Sequence, residues 1–99
     1  MIYCIHLLDK PDSLDLRLKV RPEHRVYLGL AAGRMAFAGP LMEGDKPVGS
    51  LLAMEFDSLE AVHAWLDAEP YTRAGLYEQR TVHAFTNLWP QKVGFPPAA

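Results

Sequence analysis

At 99 residues the chain has room for one domain, because a second core would have almost nothing to bury. Its 10 Lys and Arg against 12 Asp and Glu exclude a nucleic-acid binder held mainly by phosphate contacts, which needs a basic excess. The 49% hydrophobic content is that of a globular protein, but a chain this short buries only about two-thirds of its unfolded surface, so a second copy would add stability and a homodimer is expected.

Met1 leads straight into the apolar run 2–8, with no basic start and no small-residue cleavage site, so no secretory signal is expected. No apolar stretch approaches the roughly 20 residues that a membrane-spanning helix needs. Cys4, the one cysteine, cannot form an intramolecular disulfide. It is expected as a buried, inert thiol in a cytoplasmic protein.

Residues 2–8 are rich in strand formers and end at the polar turn Asp9-Lys10-Pro11-Asp12, which predicts the first strand. Residues 13–19 are read as a short irregular helix or loop, because Pro22 follows and the residue before a proline is pushed out of the α region. A helix is predicted over 22–32, with Pro22 in its first position, Glu23 in its first turn and Gly33 as its stop. Its apolar stripe is Tyr27, Leu30 and Ala31, widened by Val26 and Leu28.

A second strand over 34–38 is expected to end at Gly39-Pro40, followed by a loop over 43–47 and a third strand over 49–56. Asp57 or Ser58 caps the next helix, whose inner face is Leu59, Val62 and Leu66 and which Pro70 ends. Another short helical segment falls within 71–78, and residues 80–85 alternate polar and apolar as a half-exposed strand does. The order β-α-β-β-α-β is that of an α+β, ferredoxin-like fold, an antiparallel sheet with helices on one face. The face without helices must find cover, and back-to-back packing of two sheets in a homodimer supplies it. The chain 1–99 is thus one domain with a core of about 1–86. A tail over 87–99, with Trp89, Phe95 and three prolines, is expected to dock on the partner subunit.

Several short motifs stand in order along this frame: Arg21-Pro22-Glu23-His24, Ala38-Gly39-Pro40, Gly49-Ser50, Ser58-Leu59-Glu60-Ala61, and Glu69-Pro70-Tyr71 with Ala74-Gly75-Leu76. Together they resemble the YciI-like (YCII-related) family over nearly the whole chain, from Met1 to about Phe85. The resemblance implies a dimeric α/β barrel in which each subunit has a cleft with a histidine and an acidic residue. Relatives and fold neighbours include enzymes that isomerise lactones or eliminate halide from oxidised, chlorinated aromatic compounds. It places His24 on the family's histidine. Glu69 falls where the family has an aspartate directly before proline, and the extra methylene would re-aim the hydrogen bond by about an ångström.

In the predicted helix, His24 lies in the first turn, where the positive end of the macrodipole favours a neutral imidazole able to act as a general base. Glu69, if it reaches one ring nitrogen, would fix the tautomer and leave the other nitrogen for substrate. Arg17 and Arg21 could receive a carboxylate or enolate oxygen, or form surface ion pairs with Asp12, Asp15 or Glu23. Gly39 and Pro40 could line a small-ligand cleft or form a plain turn, and Ser50 and Tyr71 are candidate hydroxyl donors. No two histidines stand three or four apart, so no metal site is read, and no phosphate-cradling glycine loop or Ser-His-Asp signature is present. The expectation is a small cytoplasmic enzyme that transfers a proton on a small carboxylated or enolised organic molecule, as an isomerase or a lyase, without cofactor. The competing expectation is a non-catalytic dimeric module that binds a small ligand or a protein.

Overall fold

A computed structural model describes residues 1–90. Strand β1 (Ile2–Asp9) buries Tyr3, Ile5 and Leu7 and leaves the alternate residues Cys4 and His6 only half-buried, the two-residue period of a sheet with one covered face. Cys4 is therefore not the fully buried thiol expected of its apolar surroundings.

Helix α1 (Leu14–Leu30) is a single element and runs through Pro22. The predicted break there, and the predicted helix start, are both wrong. Proline removes the N–H that would bond to the Leu18 carbonyl, but Leu18 and Pro22 lie on the exposed side where water can replace it. Contacts on both sides of the proline hold the helix in place: Arg17 upstream bonds to Asp9 and Ser50, and Tyr27 downstream donates a 2.7 Å hydrogen bond to the Trp65 carbonyl. The buried side also differs from expectation, with Ala31, Leu28 and Tyr27 inward and Val26 and Leu30 largely exposed. The helix ends before Gly33, in a single 3-10 turn (Ala32–Arg34).

Strands β2 (Met35–Glu43) and β3 (Lys46–Glu55) form a hairpin closed by the two-residue turn Gly44-Asp45. Gly44 has φ 61°, a left-handed conformation that suits the first position of a II′ turn, which tightens the loop expected over 43–47. Gly39-Pro40 consequently lies within β2 rather than ending it. A proline is tolerated there because β2 is an edge strand. Helix α2 (Leu59–Asp67) starts at Ser58, whose Oγ accepts the Ala61 N–H at 3.1 Å. It buries Val62 and Leu66, whereas Leu59 is exposed. Pro70 does more than end α2: it opens α3 (Pro70–Arg73) at the first helical position, with Glu69 as N-cap. Strand β4 (Tyr77–Phe85) completes the fold.

The sheet is antiparallel throughout, in the order β2-β3-β1-β4, with β1 and β3 in the middle. Tyr3, Ile5 and Leu7 of β1 and Leu52 and Met54 of β3 meet Val62 and Leu66 of α2 in one core, completed by Phe56 and Ala31. The fold is α+β with the helices on one side of a four-stranded antiparallel sheet, as the order of elements predicts. On the other face the register aligns Cys4 with Ala53 and His83, His6 with Leu51 and Thr81, and Phe37 with Ala53. No helix among the described residues covers that face. No helix among them is long and apolar enough to cross a membrane.

Candidate functional site

Because α1 is continuous, Arg17, Arg21 and His24 follow one another at i, i+4 and i+7 and share the side of the helix that faces α3. His24 sits deep inside this helix rather than in its first turn, contrary to expectation. A different neighbour acts on it. His24 Nδ1 is hydrogen-bonded to Glu69 Oε1, while Glu69 Oε2 accepts the Thr72 N–H at 3.3 Å. The extra methylene of Glu69 therefore does not open the pair. A carboxylate only accepts, so this contact calls for a ring proton on Nδ1, and in the neutral imidazole Nε2 then keeps its lone pair. Glu69 is 1% exposed, and its two oxygens are both occupied, one as a helix cap and one on the imidazole.

Tyr71, one residue beyond Pro70, stacks on the imidazole with ring centroids 3.9 Å apart at 18°. Rather than a lone hydroxyl donor, it is first a wall that fixes the plane of the His24 ring. The Arg17 guanidinium also lies over the Tyr71 ring, 4.7 Å from its centroid, and Tyr77 meets Tyr71 edge-on at 6.0 Å. Arg17 itself is only 3% exposed. Its Nε and Nη2 bond to the two oxygens of Asp9 at 2.7 and 3.1 Å, and Nη2 also donates to Ser50 Oγ at 2.9 Å. Burial lowers the Arg17 pKa, but the Asp9 hydrogen bond and charge outweigh that effect and leave it raised. Burial also pushes the Tyr77 hydroxyl well above the ordinary tyrosine range, with a further push from the Glu69 charge; the Ser50 contact, 3.5 Å away, partly opposes this.

The fold thus brings together His24, Glu69, Tyr71 and Ser50 of the residues singled out from the sequence. Arg21 is close along the helix and half-buried, with no ion pair among the described residues. Pro40 is the register partner of Ser50, and Gly39 pairs with Leu51 on the neighbouring position of the edge strand; both are exposed. Asp9 and Tyr77 are not singled out by the sequence, Asp9 because it looks like a turn residue and Tyr77 because it falls within the helical segment expected over 71–78, whereas it opens β4. The i, i+4, i+7 spacing of Arg17, Arg21 and His24 was the available signal. The Pro22 break hid it. Of two surface cavities, one of about 490 Å³ reaches the site only at Asp9, with Lys10, Lys46 and Glu78 also on its wall, and one of about 180 Å³ lies against Arg34 and Phe56. Neither is lined by His24 or Glu69.

The chain and its helix-backed antiparallel sheet match a known group of proteins. The YCII-related domain matches residues 1–86. The protein YciI of Escherichia coli O6:H1 is 43% identical over 98 residues, covering 90% of this chain and all of its own. An uncharacterized protein of Haemophilus influenzae is 32% identical over the same length and coverage. The chain belongs to the YCII-related family. Among solved structures, the 5-chloro-2-hydroxyhydroquinone dehydrochlorinase TftG of Burkholderia phenoliruptrix, in complex with 2,5-dihydroxybenzoquinone, superposes with a TM-score of 0.82 at 28% identity, covering 87% of this chain and 94% of that one. An antibiotic biosynthesis monooxygenase, with a TM-score of 0.54, 18% identity and coverage of 89% and 99%, shares the fold alone.

Proposed function

We propose that this protein is a small cytoplasmic enzyme that uses His24 as a general base, oriented by Glu69, to move a proton on a small carboxylated or enolised organic molecule. The observation that carries this reading is the Nδ1 contact between His24 and the buried Glu69, which leaves the opposite ring nitrogen available. Nε2 would take a proton from a C–H or O–H of the substrate. The electron pair left behind spreads onto an adjacent oxygen. If a halogen stands at the next carbon, that pair then expels it as halide; if not, the imidazolium returns the proton at a second carbon and the outcome is isomerisation. Neither course requires a cofactor. Positioned proton transfer of this kind contributes about 10²- to 10⁴-fold in rate. The likeness to a dehydrochlorinase supports the elimination branch.

The proposal includes a homodimer. The uncovered sheet face presents Ile2, Leu8, Phe37, Leu51 and Phe85 beside the half-buried His6 and the exposed His83, and a second copy laid against it would withdraw them from water.

The test is chloride release from 5-chloro-2-hydroxyhydroquinone, together with deuterium uptake from D₂O into enolisable acids. The wild type is expected to turn over one of these, and His24→Ala to lose at least 10²-fold. Unchanged turnover in that variant would remove His24 as the base. A second reading, a ligand-binding module without catalysis, draws on the placement of the 490 Å³ cavity away from His24. It requires that ligands protect the wild type and His24→Ala equally against thermal unfolding.

A further inference from the structure

An imidazole held by one hydrogen bond is not fixed. The outer side-chain torsion of histidine has a broad energy profile, so the Glu69 contact holds Nδ1 in place but lets the ring plane, and with it Nε2, turn about that point. Tyr71 stops the turn. The His24 ring lies 3.9 Å from the Tyr71 ring and nearly parallel to it, filling one face, so the Arg17 guanidinium, 4.7 Å from the same centroid, takes the other. Arg17 and His24 stand seven residues apart on α1, about 10.5 Å along its axis, a gap that one aromatic ring spans with a group on each side. The Tyr71 torsion is as soft as that of histidine, and its constraint comes from Arg17 on the far face and from Tyr77, which meets the ring at 87°. Arg17 is a long side chain with much rotamer freedom to lose. Two hydrogen bonds to Asp9, at the end of β1, and one to Ser50, in β3, remove that freedom and tie the guanidinium to the two central strands. Asp9, Arg17, Ser50 and Tyr71 are all buried, so water does not compete for these contacts.

We infer that Arg17 and Ser50, both candidates for contact with substrate on sequence grounds, are instead positioning residues: with Asp9 they anchor Tyr71 to the central strands, and Tyr71 sets the plane of His24 and the direction of Nε2. A buried ion pair adds little net stability over apolar residues of the same volume, so the Arg17–Asp9 pair finds its use in the geometry that it imposes. The clamp stands whether or not His24 is a base; its effect on rate rests on that reading. Glu69 and Tyr71 come from the cap and first turn of the same short helix, α3, and hold the imidazole at its edge and on its face. The clamp through Arg17 therefore links the sheet to a ring that α3 alone would leave free to tilt.

The test reads the His24 ring protons in NMR spectra of the folded protein, with no substrate present. Held against the face of Tyr71, they are expected upfield of the ring protons of His6, His63 and His83, and Tyr71→Leu marks the complete loss of that displacement. Arg17→Lys keeps a charge opposite Asp9 but has neither the planar group nor the donor fork, and should lose most of it. In the chloride-release or deuterium-uptake assay the same variant should lower kcat about 10²-fold, the loss that an ångström of misplacement brings, with KM unchanged because Arg17 does not touch the substrate. Should Arg17→Lys fail to fold, Ser50→Ala takes its place, with a smaller loss of both displacement and kcat. Wild-type His24 signals in the folded variant would overturn the clamp, however far its thermal midpoint had fallen. A raised KM at full kcat would overturn it too, and return Arg17 to the role of a substrate contact. Displaced signals with unchanged turnover would uphold the clamp and remove His24 as the base.

Discussion

Glu69 shows how one side chain can serve structure and chemistry together. One oxygen caps α3 and the other holds His24, in a residue without solvent to replace either contact. Glu69→Ala should cost about 1–3 kcal/mol in urea unfolding, the range for a lost cap plus an unpaired buried polar group. Glu69→Asp should keep most of the cap, since aspartate is a preferred N-cap, but withdraw the carboxylate from the imidazole. The expected outcome is near-native stability with a reduced rate in the same proton-transfer assay. Tyr77 offers a test that needs no substrate. Its folded pKa is raised, so the fold favours the protonated hydroxyl; that stability is fully present below the ordinary tyrosine value of about 10 and is lost as pH rises beyond it toward the folded value. Ultraviolet titration of the native protein should show a tyrosine ionising later than in urea. Stability should also fall less steeply above about pH 10 in Tyr77→Phe than in the wild type.

Between elements, two positions carry opposite predictions. Pro22 interrupts the hydrogen bonding of α1 and contacts solvent, and a proline in a helix interior costs up to about 3 kcal/mol relative to alanine. Pro22→Ala should therefore raise the thermal midpoint and leave the Arg17 and His24 contacts in place. Gly49, on the contrary, lies where β3 crosses β1, and a Cβ there would stand 2.3 Å from the Leu7 carbonyl oxygen. That neighbour is backbone and cannot step aside, so Gly49→Ala should destabilise by at least the roughly 1–3 kcal/mol typical of overpacking, measured in the same unfolding assay. The number of strands, an α2 cap at Asp57 or Ser58 and the order of elements could be read from periodicity and turn residues, although β2 and β4 run longer than expected. The continuity of α1 could not, because local propensity at Pro22 argues for a break and only the anchors at Arg17 and Tyr27 overrule it.

For the whole molecule, the exposed sheet face makes assembly the main expectation. Light scattering coupled to size exclusion should give twice the chain mass at micromolar concentration. Leu51→Lys, in the middle of that face, should shift the protein to monomer without unfolding it, since the opposite face holds the core. Of the tail over 87–99 expected to reach the partner subunit, residues 91–99 lie outside the described residues, and within 87–90 Leu88 and Trp89 are 80% and 83% exposed.

Length, charge and the β-α-β-β-α-β order were enough to determine the fold class, and short motifs in register were enough to indicate the family, because strand periodicity and turn chemistry are local properties. Only the tertiary structure decided what surrounds His24. The helix dipole read from a start at Pro22 gave way to a carboxylate supplied from 45 residues away, a tyrosine stacked on the ring, and an arginine held by Asp9 and Ser50. Such contacts arise where helix, sheet and loop converge, and burial makes them strong. No window along the chain contains them.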